Sequence, residues 1–294
     1  MKKTFEYKTR KVFHKIHKEQ KTNRLLSLTS TNYLKLDNNY FKDKVCLVAG
    51  CGSNGNEIYG LLKQGAKKVY GFDLNKTIFE IIPSKLKEFE KRYELSVDNV
   101  LHTKYPDNFF DFVYCRGVLH HTGEKIFVGL EELKRITKKG GIIYFCVDGK
   151  GGIIDDFIDV LRKRYRLDNE FKMLIDELDE NYIRNFFNFI LSNMNKKDDY
   201  IENIFSKKFI NKMFDKELIL TIKDRIQAPV YTKTSINDIM DWLKKNNFTD
   251  IVRLKKYMKY SNIRKFLSPL YYNYNSEYSK LLYGDGVIEI RCKK

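Results

Sequence analysis

Through the first half of the chain, short unbroken apolar runs alternate with apolar residues at helical spacing. Val45 to Ala49 is such a run, as expected of a strand buried on both faces of a parallel sheet. Ile58, Leu61 and Leu62 then recur at helical spacing, with Gly65 as the helix end. Val69 to Phe72 predicts a second strand, closed by Asp73. Ile78, Ile81, Ile82, Leu86, Phe89 and Tyr93 predict an amphipathic helix from Ile78 to Glu94, interrupted near Pro83. Val97 to His102 is read as a third strand, Tyr105 to Asn108 as a turn, and Phe109 to Cys115 as a fourth strand. Ile126, Leu130, Leu133 and Ile136 mark a helix closed by Lys138, Lys139 and Gly140. Gly141 to Val147 is a fifth strand. Strands and helices in this alternation predict an α/β fold with a doubly wound, mostly parallel sheet.

After Gly151 the strand signal stops. Asp155–Leu167, Phe171–Leu178, Tyr182–Met194 and Lys207–Phe214 carry helical spacing and many aromatics, among them Phe157, Phe186 and Phe189. This stretch is read as a helical lid over the open end of the sheet, its aromatics packed inward. Ser235 caps a helix that runs to Asn246 with Ile236, Ile239, Met240, Trp242 and Leu243 on its apolar face. Asp250–Tyr257 and Val287–Cys292 are the sixth and seventh strands, separated by a tyrosine-rich insertion at 260–283. Residues 1–40 are basic with irregular apolar spacing, and form either an N-terminal helical cap on the site or a simple packing arm. The expected segments are thus 1–40, a core at 41–150, a lid at 151–230 and a return to the core at 231–294.

Composition sets bounds on partners. With 294 residues and 43% hydrophobic content the chain can build a sizeable core. A formal net charge of +17 favours polyanions, whether RNA, DNA, an anionic membrane or an acidic substrate; a broad codon bias is the alternative source of the same lysines. Weak, salt-sensitive RNA binding is expected from the basic clusters at 2–24 and 253–265. The five cysteines show no C-x-x-C spacing and read as reduced thiols of a cytoplasmic protein. No signal-peptide core and no span of roughly 20 apolar residues is present, so no membrane span is expected. His14 and His17 lack further ligands near them, and no metal is expected.

The chemistry gathers at Gly50-Cys51-Gly52-Ser53-Asn54-Gly55, between the first strand and its helix. Glycines there permit positive φ and close approach of a ligand to the backbone. An acid closing the next strand, Asp73, suits the two hydroxyls of a ribose. Together they read as a nucleoside-cofactor site.

The order of motifs resembles a class I S-adenosylmethionine-dependent methyltransferase of the common small-domain, methyltransferase-11-like type. The resemblance is carried by VAGCGSNGN (48–56), GFDLN (71–75), YPDNFFDFVYCRGVLHHT (105–122), KRITKKGGIIYF (134–145) and VIEIRC (287–292). It implies a seven-stranded Rossmann-like sheet with an antiparallel last strand, and S-adenosylmethionine as cofactor. Carried over by position, Gly50, Cys51 and Gly52 would face the methionine part, Asp73 and Leu74 the ribose, and Asn99 and Val100 the adenine. Cys115 and Arg116 would border methionine and acceptor. Two departures stand out. The family has an acid where Val48 stands and a glycine where Asn54 stands, so the site is either weakened or compensated.

His121 and His120 lie where a general base is useful, or else serve to close the loop. Arg225, Gln227 and Tyr231, in a segment read as a loop at 224–231, are acceptor contacts; alternatively Arg225 pairs with a surface acid. Three readings follow. The first is methyl transfer to a small or medium-sized metabolite held under the lid. The second is methyl transfer to RNA. The third is a non-catalytic cofactor-binding protein. Oligomeric state is not legible in the sequence.

Overall fold

The computed structural model describes residue 12 and residues 26–193, 215–254 and 276–294. The expected helix at Lys207–Phe214, the two basic clusters apart from Arg253, His14, His17 and most of the 260–283 insertion lie outside the described residues. Two compact units emerge, one built from 26–150, 229–254 and 285–294, the other from 151–193, 215–228 and 276–284.

The first unit holds the sheet. Its strands are β1 (Val45–Ala49), β2 (Lys68–Asp73), β3 (Tyr93–Val97), β4 (Phe110–Arg116), β5 (Thr137–Asp148), β6 (Thr249–Arg253) and β7 (Val287–Lys293), in the order β3-β2-β1-β4-β5-β7-β6. The pairings from β3 to β5 are parallel, and β7 runs antiparallel to both β5 and β6. This is the expected seven-stranded, doubly wound sheet. The apolar run of β1 is explained by burial on both faces. Leu47 and Ala49 join one core cluster, Cys46 and Val48 the other. The first cluster is covered by Ile126–Ile136 (α4) and Ile236–Lys245 (α9). The second lies under residues 33–41, Asn56–Lys63 (α2) and Ile78–Lys85 (α3); a short helix, Thr31–Leu34 (α1), precedes them.

Two expectations for this unit change. The third strand is Tyr93–Val97, not Val97–His102, and the preceding helix stops at Lys85. Pro83 lies within that helix and removes a backbone donor near its end. The chain then turns through Lys87–Phe89 and a left-handed Lys91, which frees Tyr93 to pair with Val69. Tyr93 fits either a helical or a strand period, and pairing with β2 decides it. The fifth strand begins at Thr137 rather than Gly141, because Lys138 to Gly140 form an irregularity opposite β4, with Gly140 at φ +76°.

The second unit is helical among its described residues: α5 (Ile153–Leu167), α6 (Asn169–Glu177), α7 (Glu180–Asn193), α8 (Lys216–Gln227) and α10 (Glu277–Tyr283). Asp168 caps α6 and Asp215 caps α8. Residues 224–227, read above as a loop, are instead the last turn of α8. The Asp215 cap and the buried Leu218, Ile219 and Ile226 extend the helix that far. Arg162 of α5 donates to the carbonyls of Arg225 and Ala228, and Tyr165 and Gln227 both bond the Asp176 carboxylate. The aromatics do not all pack inward. Phe157 of α5 and Tyr182, Phe186 and Phe189 of α7 are exposed, and the buried residue of α5 is Arg162.

Candidate cofactor and transfer site

The glycine turn is fixed by its neighbours. Gly50 has φ +65°, and a Cβ on it would lie 2.3 Å from Val118 Cγ2, so the loop after β4 closes directly over the turn. The Cys51 N–H donates to the Phe72 carbonyl at 2.9 Å, and the Gly52 N–H to Asp73 Oδ2 at 3.0 Å. Asp73 Oδ1 accepts from the Asn75 N–H at 2.9 Å. The acid at the end of β2 thus ties the turn to the second strand. Asn54 does not take the left-handed position. Gly55 does, at φ +64°, and a Cβ there would meet Ile82. Asn54 Oδ1 instead accepts from the Asn56 N–H at 3.1 Å, holding the start of α2.

The residues fit a nucleoside bearing an amino-acid tail. Asp73 stands half-buried beside the turn, and the buried Ser53 Oγ, Asn75 Nδ2 and Thr77 Oγ1 have no hydrogen-bond partner. Polar atoms held out of water without partners are costly unless a ligand completes them. Asn99 and Val100 sit in the loop after β3 rather than in the strand. Asn99 Oδ1 accepts from the Leu101 N–H, and Val100 is in the core. Asp98, not anticipated from the sequence, holds that loop by accepting from the Asn99 and Lys104 N–H groups, while its own N–H donates to the Asp73 carbonyl.

On one face of the sheet the strand ends carry a buried charged row. Arg116 stands opposite Cys146 and Cys146 opposite Glu289. Arg116 Nη1 donates to Glu289 Oε1 at 2.6 Å and to the Tyr144 hydroxyl at 2.8 Å. Glu289 is 1% exposed and its Oε2 has no partner. Burial raises the Glu289 carboxyl. Glu57, in the first turn of α2, is also buried and within electrostatic reach of Arg116. Glu289 had one sequence signal: acid and base alternate with isoleucine in VIEIRC, in a strand covered on both faces. Cys115 points the other way, into the first core cluster, and burial pushes its thiol well up.

Beyond β4, Leu119–His121 forms a 3-10 turn and buries both histidines. Their rings lie 4.1 Å apart, and Tyr231 stands 5.3 Å from His120 and 5.8 Å from His121. His121 Nδ1 is 3.0 Å from the Val230 carbonyl. A carbonyl only accepts, so Nδ1 carries the proton and Nε2 is the basic nitrogen. The structure thus brings His120, His121 and Tyr231 together. Arg225 belongs to the second unit, in α8. No group of three metal-ligating side chains occurs among the described residues, and none of their helices is long and apolar enough to cross a membrane.

Residues 47–145 match the family model of the methyltransferase domain. The chain carries a methyltransferase domain, on the sheet of the class I S-adenosylmethionine-dependent methyltransferases. It is 45% identical over 85 residues to a tRNA U34 carboxymethyltransferase of Helicobacter pylori (strain Shi470), covering 27% of this chain and 31% of that protein. An uncharacterised protein of Methanocaldococcus jannaschii is 31% identical over 112 residues, 38% of this chain and 45% of that one. The chain therefore spans about a third to under a half of the length of these relatives. The structure of PKMT2 from Rickettsia typhi shares the fold, with a TM-score of 0.53 at 15% identity, covering 91% of this chain and 53% of that one.

Proposed function

We propose that the protein transfers a methyl group from S-adenosylmethionine to an oxygen or nitrogen of its acceptor. The observation that carries this is the Asp73 carboxylate bonded to the Gly52 N–H of the turn, with unpartnered polar atoms of Ser53, Asn75 and Thr77 around it. Asp73 would hold the ribose hydroxyls, the turn from Gly50 to Gly52 the methionine part, and the loop at Asn99 and Val100 the adenine. Bound there, the cofactor supplies an electrophilic methyl group. The chain's own task is then alignment, exclusion of water and removal of one proton. Alignment alone is worth roughly 7–11 kcal/mol in well-oriented reactions. The acceptor proton goes to His121 Nε2, and the Val230 carbonyl stabilises the resulting imidazolium through Nδ1–H. Tyr231 orients the acceptor beside the ring.

The leading acceptor is a small or medium-sized metabolite. The match to the tRNA-modifying relatives covers only 27% of this chain, so what they act on is not carried over with it. RNA is the second reading, favoured by those relatives' names and by the +17 charge. The test is release of S-adenosylhomocysteine with a metabolite extract and, separately, with total RNA. Turnover with the metabolite fraction supports the first reading, and label in RNA the second. No turnover with either, from protein that binds the cofactor, favours a non-catalytic binding protein. In a turning-over enzyme, His121→Gln is expected to lower kcat about 100-fold with cofactor affinity unchanged.

A further inference from the structure

This inference rests on the cofactor reading above and names a residue within it. The apolar Val48, 2% exposed, leaves the end of β1 without the acid that the resemblance leads one to expect. A carboxylate stands close by, on another element. Glu57 is the second residue of α2 and only 7% exposed. Its charge is felt by Cys51 of the glycine turn and by Tyr114 of β4, and it feels Arg116 and Lys85. It opens α2 directly after the glycine turn, with Arg116, the last residue of β4, in electrostatic reach.

Neither neighbouring cation is bonded to it. Arg116 is committed to Glu289 and Tyr144, and Lys85 Nζ bonds Asn56 Oδ1 at 3.4 Å. Burial raises the Glu57 carboxyl to about 7, and the nearby charges of Arg116 and Lys85 oppose the rise. A carboxylate withdrawn from water without a bonded cation is unfavourable, and a cationic ligand group beside it removes that penalty. The amino-acid end of the cofactor carries one such group, an ammonium.

We propose that Glu57 is the anionic anchor for the α-ammonium group of the cofactor's methionine part, replacing the acid absent at position 48. The two departures from the family pattern then share one explanation. Asn54 and Gly55 start α2 in the position that brings Glu57 to the turn.

The test is calorimetry of wild-type protein and Glu57→Gln with two ligands, S-adenosylhomocysteine and 5′-methylthioadenosine, which lacks the amino-acid part. The variant is expected to bind S-adenosylhomocysteine at least tenfold more weakly, and methylthioadenosine within twofold of wild type. Unchanged affinity for S-adenosylhomocysteine, or an equal loss for both ligands, overturns the proposal. Should the variant not fold, wild-type protein is compared with S-adenosylhomocysteine and its analogue lacking the α-amino group. The analogue is expected to bind at least tenfold more weakly, and equal binding overturns the proposal. A wild-type protein that binds neither S-adenosylhomocysteine nor methylthioadenosine overturns the cofactor reading itself and this proposal with it.

Discussion

Asp73 shows how one side chain serves both fold and site. Its two oxygens accept from the Gly52 and Asn75 N–H groups, so removing it loosens the turn as well as the ribose contact. A charge-assisted hydrogen bond contributes roughly 1.5–3 kcal/mol. Asp73→Ala is therefore expected to weaken S-adenosylhomocysteine at least about tenfold by calorimetry; unchanged affinity removes the nucleoside reading. Glu57 makes a second prediction, on stability. Burial lifts its carboxyl from 4.5 to about 7 in the folded protein, opposed by Arg116 and Lys85. Between those values the folded state holds a proton that the unfolded chain has released. Stability from this group is thus fully present below about pH 4.5 and declines as pH rises through about 7, by roughly 3 kcal/mol in total. Urea unfolding of the ligand-free protein should show wild type losing ground to Glu57→Gln between about pH 5 and about pH 8. Parallel curves would refute the assignment.

At the scale of elements, local signals and pairing divide the work. Helix α9 is set locally. Ser235 accepts from the Asp238 N–H at 3.0 Å, and Ile239 and Leu243 are buried against the sheet. Ser235→Ala should cost about 1 kcal/mol in chemical denaturation, with cofactor affinity unchanged. Strand β3 is set by pairing. Tyr93 and Val97 continue the helical spacing of Leu86 and Phe89, while Tyr93, Leu95 and Val97 alternate as a strand does, and the register with Val69 to Asp73 decides between the two. Helix α8 escaped notice for a related reason. Its apolar face is short, and Asp224 to Gln227 read as polar loop until Asp215 is seen to cap a helix that ends there.

At the scale of the molecule, the two units differ in character. The first carries the sheet and the methyltransferase domain, the second a set of helices with exposed Phe157, Phe186 and Phe189. The +17 charge belongs to the whole chain. If it acts only as a diffuse attraction, RNA binding is non-specific and fades between roughly 50 and 200 mM salt, because affinity then comes from displaced counterions. A salt-titrated gel shift reads this directly. Tight binding at physiological salt, with methyl label at one nucleotide, would promote RNA over the metabolite.

The sequence by itself determined strands β1 and β2 and the glycine turn between them. All depend on near neighbours: an apolar run, a glycine turn, the helix after it and an acid one strand later. These lie within Lys44 to Asn75, where spacing along the chain is also proximity in space. The loop Gly117 to Thr122 was legible for the same reason. Only the tertiary structure decided the rest. Glu289 meets Arg116 across 173 residues of chain, and Tyr231 reaches His120 and His121 because the Val230 and Thr232 backbones bond back to that loop. Glu57 is buried in the first turn of α2, a placement that the apolar spacing of Ile58, Leu61 and Leu62 does not specify. Partners brought together by a strand crossover leave no periodic trace in the sequence, so charge pairs and buried polar atoms become visible only once the sheet is assembled.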